Sequence, residues 1–173
     1  STPGIISLYW PTGKINYLIT SDPAFYRWGR YHAGLDIPLD EGTPVYAVAD
    51  GNVVSGFYNS SMGNNITIEH PYLYNGTVYS KYFHLSRIVK YSGSVKAGDL
   101  IGYSGNTGDT TGPHLHFEFR RVANSTDGVF IYPNPAKATL TFRDCSPGYA
   151  DNYKQGPFNY VTDKSLVGPV LGK

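Results

Sequence analysis

The sequence predicts an all-β fold built as a compact antiparallel sheet, and three observations carry that reading. Glycine and proline are abundant, 20 and 12 of 173 residues, and 16 tyrosines accompany them. Gly and Pro punctuate a chain with turns, whereas Tyr suits a half-buried pleated surface. Short runs of β-formers recur between Gly, Asn and Asp turns. No window of helical length holds an uninterrupted 3.6-residue apolar period. A chain of 173 residues and 19.0 kDa is long enough for one domain with its own core.

The elements follow in order. HAGLD (32–36) resists a helix because Gly34 and Pro38 break it, so an extended segment is expected, with His32 and Asp36 on one side. PVYAVADGNVVSGFY (44–58) reads as strand material around a turn at Asp50–Gly51. NNITIEH (64–70) alternates and ends at His70, immediately before Pro71, which suits a strand-to-loop corner and a structural histidine. VYSKYFHL (78–85), DLIGYSG (99–105) and HLHFEFRRV (114–122) supply further strands. Regularity breaks at PYLYNGT (71–77) and over 125–135, and the pattern loosens after about Leu140. The loosening after about Leu140 sets off an extension (141–173). There is no internal repeat of solenoid or propeller period.

Charge excludes some functions. The net charge is +1 and only 16% of residues are charged, so nothing suggests an electrostatic grip on nucleic acid or an anionic membrane. No apolar run approaches membrane-spanning length, and STPGIISLYW has neither a basic n-region nor an apolar h-region. Cys145 is the sole cysteine, which rules out an internal disulfide and a multi-cysteine metal site. It reads as an inert thiol. Four N-x-S/T sequons, at Asn59, Asn65, Asn75 and Asn124, are what Asn-rich turns generate by chance.

The histidines carry the chemistry. Four of the five fall in three short motifs: His32 in HAGLD, His84 in YFHLS, and His114 and His116 in PHLHFE. On a strand, residues two apart share a face, so His114 and His116 point one way while Leu115 and Phe117 point the other. Two imidazoles and a carboxylate make a zinc site that leaves the fourth position for water, the catalytic rather than the structural arrangement. HxH alone, or HxxxD alone, is weak, and a lone strand histidine is usually packing. Their combination among rigid turns favours a metal site. There is no HExxH, so no helical glutamate stands as base. Glu118, two residues past His116, would face the same way and orient a ligand; an ordinary strand glutamate is the competing reading.

HAGLDIPLDEGTPVYAVADGNVV, GNNITIEH, YFHLS and VKAGDLIGYSGNTGDTTGPHLHFEF, in that order, resemble the lysostaphin/LytM-type zinc endopeptidases that cut bacterial peptidoglycan. The resemblance covers about Tyr26 to Leu140, which implies a lead-in (1–25), a metallopeptidase domain (26–140) and an extension (141–173). It implies one Zn2+ held by His32, Asp36 and His116, with His84 and His114 as the catalytic histidines. It also implies Asn64 on the floor of a substrate groove with loop walls. The substrate implied is the cross-link or stem peptide of bacterial peptidoglycan, met by a monomer outside the cytoplasm or as a phage lytic component. The stretch between His70 and His84 is longer than the family's usual hairpin and is expected to form a groove wall. The 141–173 tail has no family counterpart.

Two rivals remain. Some relatives of this type only bind peptidoglycan or activate other hydrolases, and these typically lack a zinc ligand; here all three ligands and both histidines are present. GTPVYAVADGNVV and VKAGDLIGYSG also resemble the half-motifs of biotinyl and lipoyl carriers. A carrier needs a lysine at its exposed turn, and Asp50–Gly51 has none.

Overall fold

A computed structural model describes residues 5–6, 9, 11–13, 26–27, 30–31, 34–71, 73, 76–120, 129–134 and 139–144. Every element among them is a strand: β1 (Ile5–Ile6), β2 (Tyr26–Arg27), β3 (Arg30–Tyr31), β4 (Leu35–Pro38), β5 (Pro44–Tyr46), β6 (Gly51–Asn59), β7 (Gly63–His70), β8 (Val78–Ile88), β9 (Gly93–Val95), β10 (Leu100–Ser104), β11 (His114–Arg120), β12 (Val129–Asn134) and β13 (Thr139–Asp144). The central sheet has eight strands along the path β4-β11-β8-β7-β6-β9, and β10 joins β5 to β8. All its pairings are antiparallel, as the alternating segments require.

Register sorts the side chains onto two faces. Residues directly opposite one another across an antiparallel ladder point the same way. One face therefore carries Ile37 and Leu115, then Phe117, Tyr82 and Ile66, then Phe119, Ser80 and Ile68. These apolar side chains are fully or almost fully buried and form the core. Phe117 packs its ring against Tyr82 at 5.3 Å and against Phe119 at 5.4 Å. The opposite face is polar: Asp36, His116 and Phe83 form one row, Glu118, Lys81 and Thr67 the next, Arg120, Tyr79 and Glu69 the third. A one-residue slip would exchange the faces, so burial of the apolar set fixes where the polar set stands.

His70 behaves as a structural residue. It is fully buried, with Nδ1 2.8 Å from the Asp50 carbonyl and Nε2 2.6 Å from Ser80 Oγ. Burial lowers its pKa to about 4 against the opposing pull of Asp50, so it is neutral in the fold.

Two strands lie where irregular chain was expected. β12 falls inside 125–135, and β13 runs past Leu140; they pair with each other, and β1 from the lead-in pairs with β13. The segments numbered 1–25 and 141–173 thus each contribute backbone to one three-stranded sheet. Pro133 and Pro135 obscured β12, because Pro demotes a run that otherwise reads as strand. Cys145 and the rest of the extension beyond Asp144 lie outside the described residues.

Candidate active site

The polar face places Asp36, His84, His114 and His116 around one groove of about 410 Å³. Asp36 on β4 and His116 on β11 are direct cross-strand partners. Gly34 makes their approach possible: a Cβ there would run into the Phe117 carbonyl and Glu118 Cβ, so only glycine lets this stretch pass so close to β11. Asp36 Oδ1 lies 3.0 Å from His116 Nδ1 and 3.6 Å from His114 Nε2. His32 lies outside the described residues; among those described, no three His, Cys, Asp or Glu side chains converge as a metal cage.

His116 is fixed on three sides. Its ring stacks on Phe83 with centroids 4.8 Å apart and planes 12° apart. Its Nε2 lies 2.8 Å from Glu118 Oε1, and its Nδ1 faces Asp36. Burial would lower its pKa, but the hydrogen bonds and charges of Asp36 and Glu118 prevail and push it up to about 9. Glu118 is buried too, yet His116 and Arg120 outweigh that burial and hold its carboxyl below the ordinary carboxylate range.

His84 reaches the groove through a break in the ladder. Along β8 the register with β7 runs from Leu85 opposite Asn64 to Tyr82 opposite Ile66, so Phe83 and His84 together oppose Asn65. This is a β-bulge, and His84 takes the left-handed conformation within it, φ 63°. Regular alternation would aim Phe83 and His84 at opposite faces. The bulge instead aims both at the groove, where the His84 ring sits 4.8 Å from His114 and 6.2 Å from His116. The His84 amide donates to Met62 O at 2.8 Å, and Nδ1 donates to Thr107 O at 2.8 Å. Burial, the first cause, together with the neighbouring histidines lowers the His84 pKa to about 4 despite the Thr107 bond. His114 Nδ1 likewise donates to a carbonyl, that of Gly112, at 2.8 Å. A carbonyl only accepts, so in both rings Nδ1 carries a proton and Nε2 is left for chemistry.

Thr107 organises this corner. Its hydroxyl donates to Leu85 O at 2.7 Å and accepts from Asn64 N at 3.0 Å, while its carbonyl holds His84. Gly63 permits the contact, because its φ is 66° and a Cβ there would collide with Thr107.

Asn64 sits beside the groove and faces the backbone. Its carboxamide donates to Leu85 O at 3.0 Å, and by register it shares a face with Tyr58 and Ile66. The groove walls come from Ser61 and Met62 on one side and Asp109 to Thr111 on the other. These are the walls among the described residues; the expected wall after His70 falls partly outside them. Pro71 lines a separate cleft with Asp50, Ser94 and Lys96. The β7–β8 hairpin explains the separation, since Val78 and Phe83 are five residues apart on β8, about 16 Å. Tyr72, Tyr74 and Asn75 of that loop lie outside the described residues.

Residues that the motifs did not single out are Phe83, Thr107, Gly112 and Arg120. Arg120 had a signal, because the same period of two that joins His114, His116 and Glu118 continues to it. Phe83 acts by stacking, Gly112 through its carbonyl, and Thr107 through its carbonyl and a hydroxyl turned to backbone, none of which leaves a mark in a sequence.

Whether a metal fits can be judged from the donors. His116 stands between two carboxylates, Nδ1 3.0 Å from Asp36 Oδ1 and Nε2 2.8 Å from Glu118 Oε1, and bridges them as an imidazolium that donates from both nitrogens. A metal ion beside Asp36 would take the place of the Nδ1 proton. Imidazole nitrogen and carboxylate oxygen are ligands zinc accepts. The residues present fit a metal ion.

Residues 30–128 match the sequence profile of Peptidase family M23. Among curated relatives, the DD-carboxypeptidase/endopeptidase Mpg of Neisseria meningitidis is 42% identical over 114 residues, covering 65% of this chain and 25% of that protein. The glycyl-glycine endopeptidase ALE-1 of Staphylococcus capitis is 39% identical over 140 residues, covering 79% of this chain and 36% of that one. The chain thus spans between about a quarter and a third of the length of these relatives. The catalytic domain of the antimicrobial peptidase lysostaphin from Staphylococcus simulans superposes with a TM-score of 0.61 at 33% identity, over 68% of this chain and 90% of that domain.

Proposed function

The chain belongs to Peptidase family M23, and from that premise we propose that it is a zinc-dependent endopeptidase of bacterial peptidoglycan peptides, working outside the cytoplasm. The observation that carries the reading is the convergence of Asp36 and His116 at 3.0 Å, with two further histidines whose Nε2 atoms are left for chemistry. The relatives point the same way, being named as peptidoglycan DD-endopeptidases and a glycyl-glycine endopeptidase.

Asp36, His116 and His32 would hold the zinc. When bound, the ion supplies Lewis acidity, polarising a peptide carbonyl and acidifying water. The remaining work falls to the protein's own groups. His84 is neutral near pH 7 with its Nδ1 proton held by Thr107, so its Nε2 can accept a proton from an attacking water. His114 is oriented by Gly112 in the same way and lies between His84 and Asp36. With Nε2 protonated as well, His114 would donate a hydrogen bond to the carbonyl oxygen as negative charge grows on it. Phe83 keeps one side of His116 dry, and the walls at Ser61–Met62 and Asp109–Thr111 confine an extended peptide. Such a groove favours flexible chains of small or D-configured residues over bulky ones. Asn64 is proposed to act on the substrate indirectly, by tying β7 to the Leu85 carbonyl beneath the groove.

Asp36→Ala tests the assignment. Purified wild-type protein is expected to carry one zinc per chain and to solubilise cell walls, and the variant to lose both together. A metal-free Asp36→Ala protein with full activity would remove Asp36 from the site.

A further inference from the structure

Row by row along β11, the polar face continues past the ligands: His116, then Glu118, then Arg120. Glu118 is 2% exposed, a carboxylate that the hydrolytic groups do not use. One oxygen, Oε1, lies 2.8 Å from His116 Nε2, and the other, Oε2, accepts from Arg120 Nε. Lys81, its cross-strand partner, adds a second positive charge on the same face.

The direction of each hydrogen bond is settled by chemistry. Arginine can only donate, so it must meet an acceptor. A carboxylate offers acceptors on both oxygens, so the atom turned to His116 is also an acceptor. His116 must then carry a proton on Nε2, and by the same reasoning one on Nδ1 toward Asp36; a metal ion beside Asp36 would displace the Nδ1 proton and leave the Nε2 proton with Glu118. We propose that Arg120 and Glu118 form a positioning relay that selects the metal-binding nitrogen of His116, Arg120 orienting the carboxylate and Glu118 holding the proton on Nε2. This rests on the zinc reading above and adds two residues to it. Neither touches substrate.

The relay makes an unusual demand on Glu118→Gln. The substitution is isosteric and removes the charge, but an amide has one accepting end and one donating end. Arg120 claims the oxygen. The amide nitrogen then faces His116 Nε2 and donates to it, which moves the imidazole proton to Nδ1 and turns an N–H toward the metal. Replacing Arg120 as well frees the amide to rotate and present its oxygen to His116. The second substitution should therefore repair the first, whereas two merely structural losses would add.

The experiment measures zinc affinity by chelator competition for wild type, Glu118→Gln, Arg120→Met and the double variant, with thermal unfolding of each metal-free protein alongside. Glu118→Gln is expected to weaken zinc binding about 10- to 100-fold, the usual scale for losing a partner of a metal-ligating histidine. The double variant is expected to bind more tightly than Glu118→Gln alone. Long-range ¹H–¹⁵N correlation on the zinc-loaded wild type is expected to place the His116 proton on Nε2, a result independent of any variant's folding. A proton on Nδ1, a Glu118→Gln affinity within twofold of wild type, or a double variant weaker than both single ones overturns the relay. Wild type that takes up no zinc, or His116→Ala that keeps it, overturns the zinc reading instead.

Discussion

His84 holds a left-handed backbone, φ 63°, which costs a residue with a Cβ about 1–2 kcal/mol. Its surroundings enforce the conformation, through the Met62 carbonyl on its amide and the Thr107 carbonyl on its ring. Strain kept at such a position is common where a side chain must be aimed. Because the Met62 carbonyl still holds the backbone amide, removing the imidazole should cost the fold only the Thr107 contact while removing the chemistry. His84→Ala and His114→Ala are each expected to lower kcat about a hundredfold or more while shifting the melting temperature little. Turnover on cell-wall peptides, measured beside thermal unfolding, checks both, and near-wild-type kcat would strike that residue from the mechanism. At this scale the sequence was informative about which side chains gather, since Asp36, His84, His114 and His116 line one groove. It was silent about how His84 arrives. Strict alternation would have paired His84 with Tyr82 on the core face, and a bulge depends on where the neighbouring strand is gripped, here by Thr107. Asn64 shows the opposite limit: its amide nitrogen is held by the Leu85 carbonyl, a contact that no motif announces.

Strands β7 and β8 are joined beneath the sheet by a one-way chain of hydrogen bonds. The Val48 amide donates to Tyr82 OH at 3.1 Å, and Tyr82 OH lies 2.9 Å from Ser80 Oγ. Ser80 Oγ lies 2.6 Å from His70 Nε2, while His70 Nδ1 donates to Asp50 O. Because Val48 N–H and the Asp50 carbonyl fix the two ends, each hydroxyl donates toward His70, and His70 must accept at Nε2. Protonating His70 would reverse the chain against the Val48 amide. The pKa of His70 is about 4 in the fold and 6.5 when unfolded, so the unfolded state binds the extra proton first. The stability tied to its neutrality is intact above pH 6.5, is lost as the pH falls toward 4, and changes no further below that. Full loss amounts to roughly 3 kcal/mol. Urea unfolding of wild type and His70→Gln between pH 7 and 4 checks this; the wild type is expected to lose more stability over that window, and parallel curves would contradict it. The strands themselves were legible as alternating runs, because burial on one face imposes a period of two. β12 and β13 were less so, because Pro133 interrupts one and the other pairs with β1 from more than a hundred residues away. Pairing at that distance leaves no local pattern.

Over the whole molecule, one register decision connects the core to the chemistry. Burying Leu115, Phe117, Phe119, Tyr82, Ile66 and Ile68 on one face obliges His114, His116, Glu118 and Lys81 to occupy the other. The fold class could be read from composition and alternation alone, whereas the position of the groove walls could not. Walls depend on which hairpin ends lie together in space, and among the described residues they are Ser61–Met62 and Asp109–Thr111. The central claim is that this groove hydrolyses peptidoglycan peptides with zinc. Its most direct measurement is digestion of purified peptidoglycans of several cross-link types, with new N-termini identified by mass spectrometry. New peptide amines should appear with time from at least one cross-link type, disappear on chelation, return with added zinc, and be absent with His116→Ala. Cleavage of casein without release of peptide amines from any cell wall, or release that chelation leaves unchanged, would contradict it.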